Sequence, residues 1–327
     1  MGSREPVRSA AVWRAADVAD SSEWSTTLSA AQVAAIVVAG ERAVQRGRTV
    51  ATMVRSDVDL PELRSDVARW VQALNAGRGF VLLRGFPVSE LSAEATELAY
   101  VGLGLQLGQP VGQDAKASLL THVRDEGIAR TDPSVRLYRT RQRQDFHTDG
   151  SDIVGLLCLH KARSGGESRI ASSYAVYNEI LTRRPDLAEV LYAPMYWDRN
   201  NEQSAGEDPY FAMPVFNDIG GMPRVFFVGW YIRDAQRHPR APRLTAEQLE
   251  ALDIIETIAN DPEFYVEMRF EPGDIQLISN AKILHSREAY EDFPEPERRR
   301  HLLRLWLTAH DFASVDEVLR GGIPQQA

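Results

Sequence analysis

Apolar and polar positions change their spacing once along this chain. Up to residue 78 the apolar side chains fall at helical intervals, and helix-opening signals stand beside them. Ser29-Ala-Ala-Gln32 has the form of a capping box, in which the Ser hydroxyl and the Gln amide satisfy backbone groups that a first turn leaves unpaired. It opens a helix running to Gly47, and residues 60–74 repeat the helical spacing, so residues 1–78 read as a helical flank. From Gly79 the texture becomes short β-rich runs between turns: GFVLLRGFPV, IVGLLCLH, RIASS, PRVFFVGWYI and HLLRLWL, with YVEMRF and IQLIS paired about Pro272-Gly273-Asp274. Helices are inserted at 92–105, at 175–183 and from the capping pattern Thr245-Ala-Glu-Gln248. Many short strands with helices outside them predict an α+β, mainly β, fold: a sandwich or jelly roll core with flanking and inserted helices. A doubly wound sheet would alternate strand and helix, and this chain does not. The core domain is expected over 79–312, with an aromatic-rich lid insert at 195–222 and a tail at 313–327.

Composition narrows the function. A hydrophobic fraction of 44% with 25% charged residues excludes disordered and collagen-like classes. The balance of 37 basic against 46 acidic residues argues against wrapping nucleic acid, which needs a basic face. No apolar run approaches the roughly 18 residues of a membrane span, and the N-terminus lacks the apolar core of a signal peptide. The single cysteine, Cys158, cannot form an internal disulfide, so the expected location is the cytoplasm and the expected partner a small molecule. A homo-oligomer is compatible with all of this.

Several familiar carriers of chemistry are missing: no P-loop, no G-x-S-x-G elbow, no C-x-x-C. Gly102-Leu-Gly104-Leu-Gln-Leu-Gly108 imitates a dinucleotide fingerprint, but its third glycine comes one residue late and it follows a helical run rather than a strand. The informative segment is Gln144-Asp-Phe-His147-Thr-Asp149-Gly150. In an extended chain residues two apart share a face, so His147 and Asp149 can present an imidazole and a carboxylate to one point while Thr148 faces away. Alone this carries little, since such a pair arises by chance in roughly one chain in three. A third ligand, His285, follows the expected turn at Pro272-Gly273-Asp274. Two histidines and one carboxylate make the facial arrangement that holds Fe(II) and leaves open positions; the same trio also suits catalytic zinc. Farther on, period-two alternation puts Arg300, Leu302, Arg304 and Trp306 on one strand face, and buried guanidiniums suit the capture of carboxylates.

His147-Thr-Asp149, Gly165-Gly-Glu-Ser168, His285 and Arg300-x-Leu-x-Arg304, in this order, resemble the TauD/TfdA family of Fe(II)/2-oxoglutarate dioxygenases, in the clavaminate-synthase-like group, over about residues 79–310. The resemblance implies a double-stranded β-helix and an oxygenase with Fe(II), 2-oxoglutarate and O2 as cofactor and co-substrates. It implies that His147, Asp149 and His285 bind iron, that Arg300 pairs with the distal carboxylate of 2-oxoglutarate, and that Ser168 stands where the family commonly has a threonine that helps. It also implies that Arg304 reaches an acidic group on the substrate, and that hydroxylation of a C–H bond accompanies release of succinate and CO2, with desaturation or cyclisation as other outcomes. The halogenating relatives replace the carboxylate ligand with a small residue, so Asp149 points to an oxygenase.

Tyr138 and Arg139, upstream of the iron motif, and Trp197, in the lid, are further expected substrate contacts, and Asn280 is expected to orient the loop before His285. Asp152 has the wrong parity for a ligand. The remaining histidines have no partner at a useful spacing. Against the oxygenase stand a zinc hydrolase using the same trio and a non-catalytic ligand-binding jelly roll; the inward Arg300 is the discriminator, since a zinc hydrolase has no need of a buried arginine opposite the metal and 2-oxoglutarate does.

Overall fold

The computed structural model describes residues 4–128 and 135–310. The tail expected at 313–327 lies outside the described residues. The larger sheet runs in the order Ser25–Thr27, Phe80–Arg84, Ile275–Ser279, Ile153–His160, His301–Ala309 and Gly108–Pro110, and Leu120–Val123 also pairs with His301–Ala309. All of its pairs are antiparallel except that of Ser25–Thr27 with Phe80–Arg84. The smaller sheet is antiparallel, in the order Tyr265–Met268, Ser168–Ser172, Ile283–Arg287, Gln144–His147. Phe80, Val154, Ile278, Leu302 and Trp306 of the first sheet pack with Ile170, Met268 and Ile283 of the second in one buried cluster. This is the expected double-stranded β-helix core.

Alternation on His301–Ala309 sorts its side chains as predicted. Leu302 and Trp306 enter the cluster between the sheets, whereas Leu303, Leu305 and Leu307 turn to the opposite face. There they meet helices Ala30–Gln45, Arg64–Asn75 and Ala93–Leu107. Each such leucine contributes roughly 1.5–3 kcal/mol by leaving water. The predicted capping boxes at Ser29 and Thr245 are both made. Gly102 and Gly104 lie inside helix Ala93–Leu107, where a Cβ would come 2.4 Å from Val58 and 2.3 Å from Leu305. Those glycines let the helix approach its neighbours; they form no phosphate turn. Behind the smaller sheet, helices Ser173–Arg183, Pro185–Tyr192 and Ala246–Ala259 and the strands of 195–225 bury Phe146, Ala171 and Leu284.

Two expectations need correction. Residues 265–270 and 275–279 do not form a hairpin, because Pro272-Gly273-Asp274 carries the chain from the smaller sheet to the larger one. Asp274 Oδ2 accepts from Glu271 N at 3.0 Å and Arg84 Nη1 at 2.8 Å, which ties the turn to the end of Phe80–Arg84. Residues 223–232 are not one strand either: Met222–Val225 pairs with Phe216–Ile219, and Gly229–Asp234 is helical. An unbroken apolar run carries no period to tell the two apart.

Candidate active site

The smaller sheet sets the two imidazoles side by side. His285, within Ile283–Arg287, is the direct cross-strand partner of His147, the last residue of Gln144–His147, and their ring centroids lie 4.1 Å apart. The strand stops at His147, so period two alone does not deliver Asp149. Asn280 delivers it: its Oδ1 accepts from Asp149 N at 2.7 Å, and its amide donates to the Asp149 carbonyl oxygen. Thr148 faces away, as predicted, and exchanges backbone and hydroxyl hydrogen bonds with Phe227 at 2.8 and 2.9 Å. Asp149 Oδ2 accepts from Trp306 Nε1 at 3.0 Å and lies 3.6 Å from His285 Nε2, while Oδ1 lies 3.9 Å from His147 Nε2. One ligand atom from each of the three residues falls within 4.8 Å of the others. Asn280→Ala is expected to lower metal affinity by about 10- to 100-fold, the usual cost of losing a group that orients a ligand. Equilibrium metal titration of the folded variant measures it.

The electrostatics leave these ligands ready for a cation. Burial lowers the pKa of His147 although Asp149 and the Asp145 carbonyl oppose it, and burial, with His147 and Arg304 adding, takes His285 down to about 3. Burial alone would raise the Asp149 carboxyl, but Arg304, the two imidazoles and Trp306 outweigh it and hold it low. The set is therefore two neutral imidazoles and one carboxylate. His147 Nδ1 lies 2.8 Å from the Asp145 carbonyl oxygen, which places the ring proton there and turns the Nε2 lone pair toward the other ligands. Gln144 Nε2, 3.1 Å from that nitrogen, would yield the position to a metal.

A small inner cavity adjoins the trio, lined by His147, His285, Ser168, Arg287, Arg300 and Arg304 among others. Arg300 is buried, Nη1 has no partner, and its guanidinium carbon sits 4.9 Å from the centre of the Tyr290 ring. Gly166, at φ +77°, makes room for it: a Cβ there would come 3.0 Å from Arg300 Nε. Arg287 is equally buried, with Nε and Nη1 unpartnered, and burial followed by the nearness of Arg300 lowers its pKa to about 10. Ser168 Oγ donates to Gln276 Oε1 at 3.1 Å, a bond it would exchange to serve a carboxylate.

An outer cavity opens on the other side of the trio, lined by Tyr138, Trp197, Phe211, Trp230, Tyr231, Arg136 and Arg304 among others. Arg304 spans the two cavities. Its Nε donates to Gln113 Oε1 at 2.8 Å, Nη1 lies 3.6 Å from Asp149 Oδ2, and its guanidinium rests against Tyr138 and Trp306.

The structure thus brings together His147, Asp149, His285, Ser168, Arg300, Arg304, Tyr138, Trp197 and Asn280. It does not bring in Arg139, which pairs with Glu126 at 2.6 Å and is 40% exposed. Arg136, three residues earlier, lines the outer cavity instead and pairs with Glu202. Asp152 accepts from Ala309 N at 3.0 Å and takes no part in the trio. Histidines expected to lack partners have them: His122 Nδ1 lies 2.8 Å from His301 Nε2, His238 Nε2 lies 2.9 Å from Asp198 Oδ2, and His310 Nε2 lies 3.3 Å from the Leu105 carbonyl oxygen. Sequence reasoning passed over Arg287, although its place two residues after His285 put it on the same strand face. Gln113 gave no local signal, and alternation placed Trp306 on the inward face without revealing its bond to Asp149.

These residues fit an iron ion and a dianionic co-substrate. Convergent neutral imidazoles and an ionised carboxylate supply the ion's donor set. Buried guanidinium N–H groups without partners supply what a carboxylate would complete. A jelly roll with such a metal trio and such a cavity defines a non-haem Fe(II)/2-oxoglutarate-dependent oxygenase. Comparison with known proteins agrees. Residues 45–306 match the family described as "Taurine catabolism dioxygenase TauD, TfdA family". FR-33289 synthase of Streptomyces rubellomurinus is 34% identical over 315 residues, covering 94% of this chain and 92% of that protein. The taurine hydroxylase-like protein SAT17 of Stachybotrys chartarum is 31% identical, covering 75% of this chain and 65% of that protein. Among solved structures, an asparagine oxygenase in complex with Fe(II), 2S,3S-3-hydroxyasparagine and succinate superposes with a TM-score of 0.67 at 18% identity, over 87% of this chain and 94% of that one. The chain belongs to the TauD/TfdA family of dioxygenases. That membership sets aside the zinc hydrolase and the ligand-binding jelly roll. Among the described residues, no helix is long and apolar enough to cross a membrane.

Proposed function

We propose that His147, Asp149 and His285 hold the iron, that Arg300 and Ser168 hold the distal carboxylate of 2-oxoglutarate, and that the outer cavity takes a small acid-bearing molecule whose C–H bond is hydroxylated. The observation that carries this reading is the buried, unpartnered Nη1 of Arg300 in a cavity that also contains His147 and His285. When bound, the iron and 2-oxoglutarate supply the oxidising power, with dioxygen split between succinate and the substrate.

The chain's own side chains do the rest. Asn280 and Trp306 hold the Asp149 carboxylate toward the two imidazoles. Arg304 faces the outer cavity with Tyr138 beneath it, placed to receive a carboxylate, sulfonate or phosphate and so orient the substrate against the metal trio. Arg136, also on the cavity wall, is held there by its ion pair with Glu202. Among relatives, a uridine-5'-phosphate dioxygenase of an Amycolatopsis species is 28% identical over 51% of this chain and 62% of its own length, and its named substrate carries an acid group. Residues 195–222 serve as a lid: Trp197 is buried in the cavity wall and its Nε1 donates to Met213 O at 2.8 Å, so the lid closes on its own strand pair and keeps water out. The lone, buried Cys158 accords with a cytoplasmic location.

A screen for succinate release across amino acids, sulfonates, phosphate esters and small natural-product acids, with product masses measured, tests the reading. A product heavier by one oxygen atom supports hydroxylation. A product lighter by two hydrogens shows desaturation or ring closure, and release stimulated only by uncharged compounds contradicts the acid-bearing substrate.

A further inference from the structure

The inner cavity holds more positive charge than one carboxylate-binding arginine accounts for. Arg287 stands two residues beyond His285 on Ile283–Arg287, opposite Ser168 in the register, so its side chain shares the inward face. Its Nη2 donates to the carbonyl oxygens of Leu137, at 3.4 Å, and Gln142, whereas Nε and Nη1 have no partner. Among the described residues no carboxylate is in ion-pair contact with Arg287 or Arg300; Asp292 Oδ1 instead accepts from the Arg300 backbone N–H at 2.8 Å. The Tyr290 ring lies 5.2 Å from the Arg287 guanidinium carbon and 4.9 Å from that of Arg300, so both cations rest against one aromatic ring, which supplies no countercharge. Buried guanidiniums with N–H groups left bare are costly unless an anion arrives to pair with them.

We propose that Arg287 is a second guanidinium for the distal carboxylate of 2-oxoglutarate, acting beside Arg300, and that the pair makes this cavity select a dicarboxylate over a monocarboxylate 2-oxo acid. The proposal rests on the inner cavity being the 2-oxoglutarate site. The same side chain reaches the segment that carries Tyr138 through Leu137 and Gln142, so it joins the co-substrate cavity to the wall of the outer one.

The test is calorimetric binding to the Fe(II)-loaded protein without oxygen, using 2-oxoglutarate and 2-oxopentanoate. The second acid keeps the 2-oxo acid end and the chain length but ends in a methyl group. Arg287→Met is expected to weaken 2-oxoglutarate by about 10- to 100-fold, the range for a charged hydrogen bond, while 2-oxopentanoate stays within about twofold. Arg287→Lys should recover part of the loss. Equal weakening of both acids shows that Arg287 only supports the loop at 137–142 and overturns the proposal, as does unchanged binding of 2-oxoglutarate. If Arg287→Met fails to fold by thermal unfolding, Arg287→Gln, which keeps N–H donors but no charge, carries the same comparison. A wild-type protein that binds the two acids equally removes the co-substrate site itself, a result distinct from any effect of the variant.

Discussion

Asp149→Ala is expected to reduce succinate formation by more than about a thousandfold, the scale on which loss of one member of a catalytic unit acts. Asp149 supplies the only negative charge of the trio. Without it two neutral imidazoles remain, and Arg304 Nη1, which lies 3.6 Å from the carboxylate, then repels the cation instead of balancing the ligand. Trp306 Nε1 loses its acceptor as well. Fe(II) affinity measured in the absence of oxygen should fall with the activity. Asp152→Ala is the control, because Asp152 bonds Ala309 N at the end of a strand and should leave both quantities nearly unchanged.

Arg300→Ala is expected to weaken 2-oxoglutarate by roughly 30-fold or more, since removing one partner of a buried charge pair costs about 2–5 kcal/mol. The effect should fall on co-substrate affinity, with Fe(II) affinity kept, because among the described residues Arg300 makes no hydrogen bond or ion pair with His147, Asp149 or His285. Gly166 and Tyr290 close around this guanidinium, so the substitution leaves a cavity next to a charge-binding site rather than a repacked wall. A variant that keeps its 2-oxoglutarate requirement at the wild-type concentration would transfer the role to a neighbour, and Arg287, with its own bare N–H groups in the same cavity, would be the next to replace.

The parts of this site legible in the sequence are those set by local rules. Alternation along residues 300–307 named the inward face correctly because both faces of that strand are buried and side chains there must alternate. The capping boxes at Ser29 and Thr245 reported their helices for the same reason: a first turn needs those donors and acceptors within three residues. What local spacing could not show depends on partners far along the chain. Asp149 reaches the trio through Asn280 and Trp306, which no spacing near His147 could reveal. Pro272-Gly273-Asp274 is the turn its residues demand, yet which strands pair on either side was decided by the burial of Met268 and Ile278 between the sheets. Arg139 looked equal to Tyr138 until Glu126 drew it to the surface, while Arg287 stood in plain view on the His285 strand, its burial the only missing fact.

In the proposed site three side chains hold an iron ion beside a cavity that receives 2-oxoglutarate. Its most direct test is an oxygen-free titration of the purified protein with Fe(II) and then 2-oxoglutarate, followed by visible absorbance. A weak charge-transfer band is expected that saturates at one equivalent of each and is absent in His285→Ala. No band in the wild-type protein, together with tight retention of zinc, would contradict this assignment.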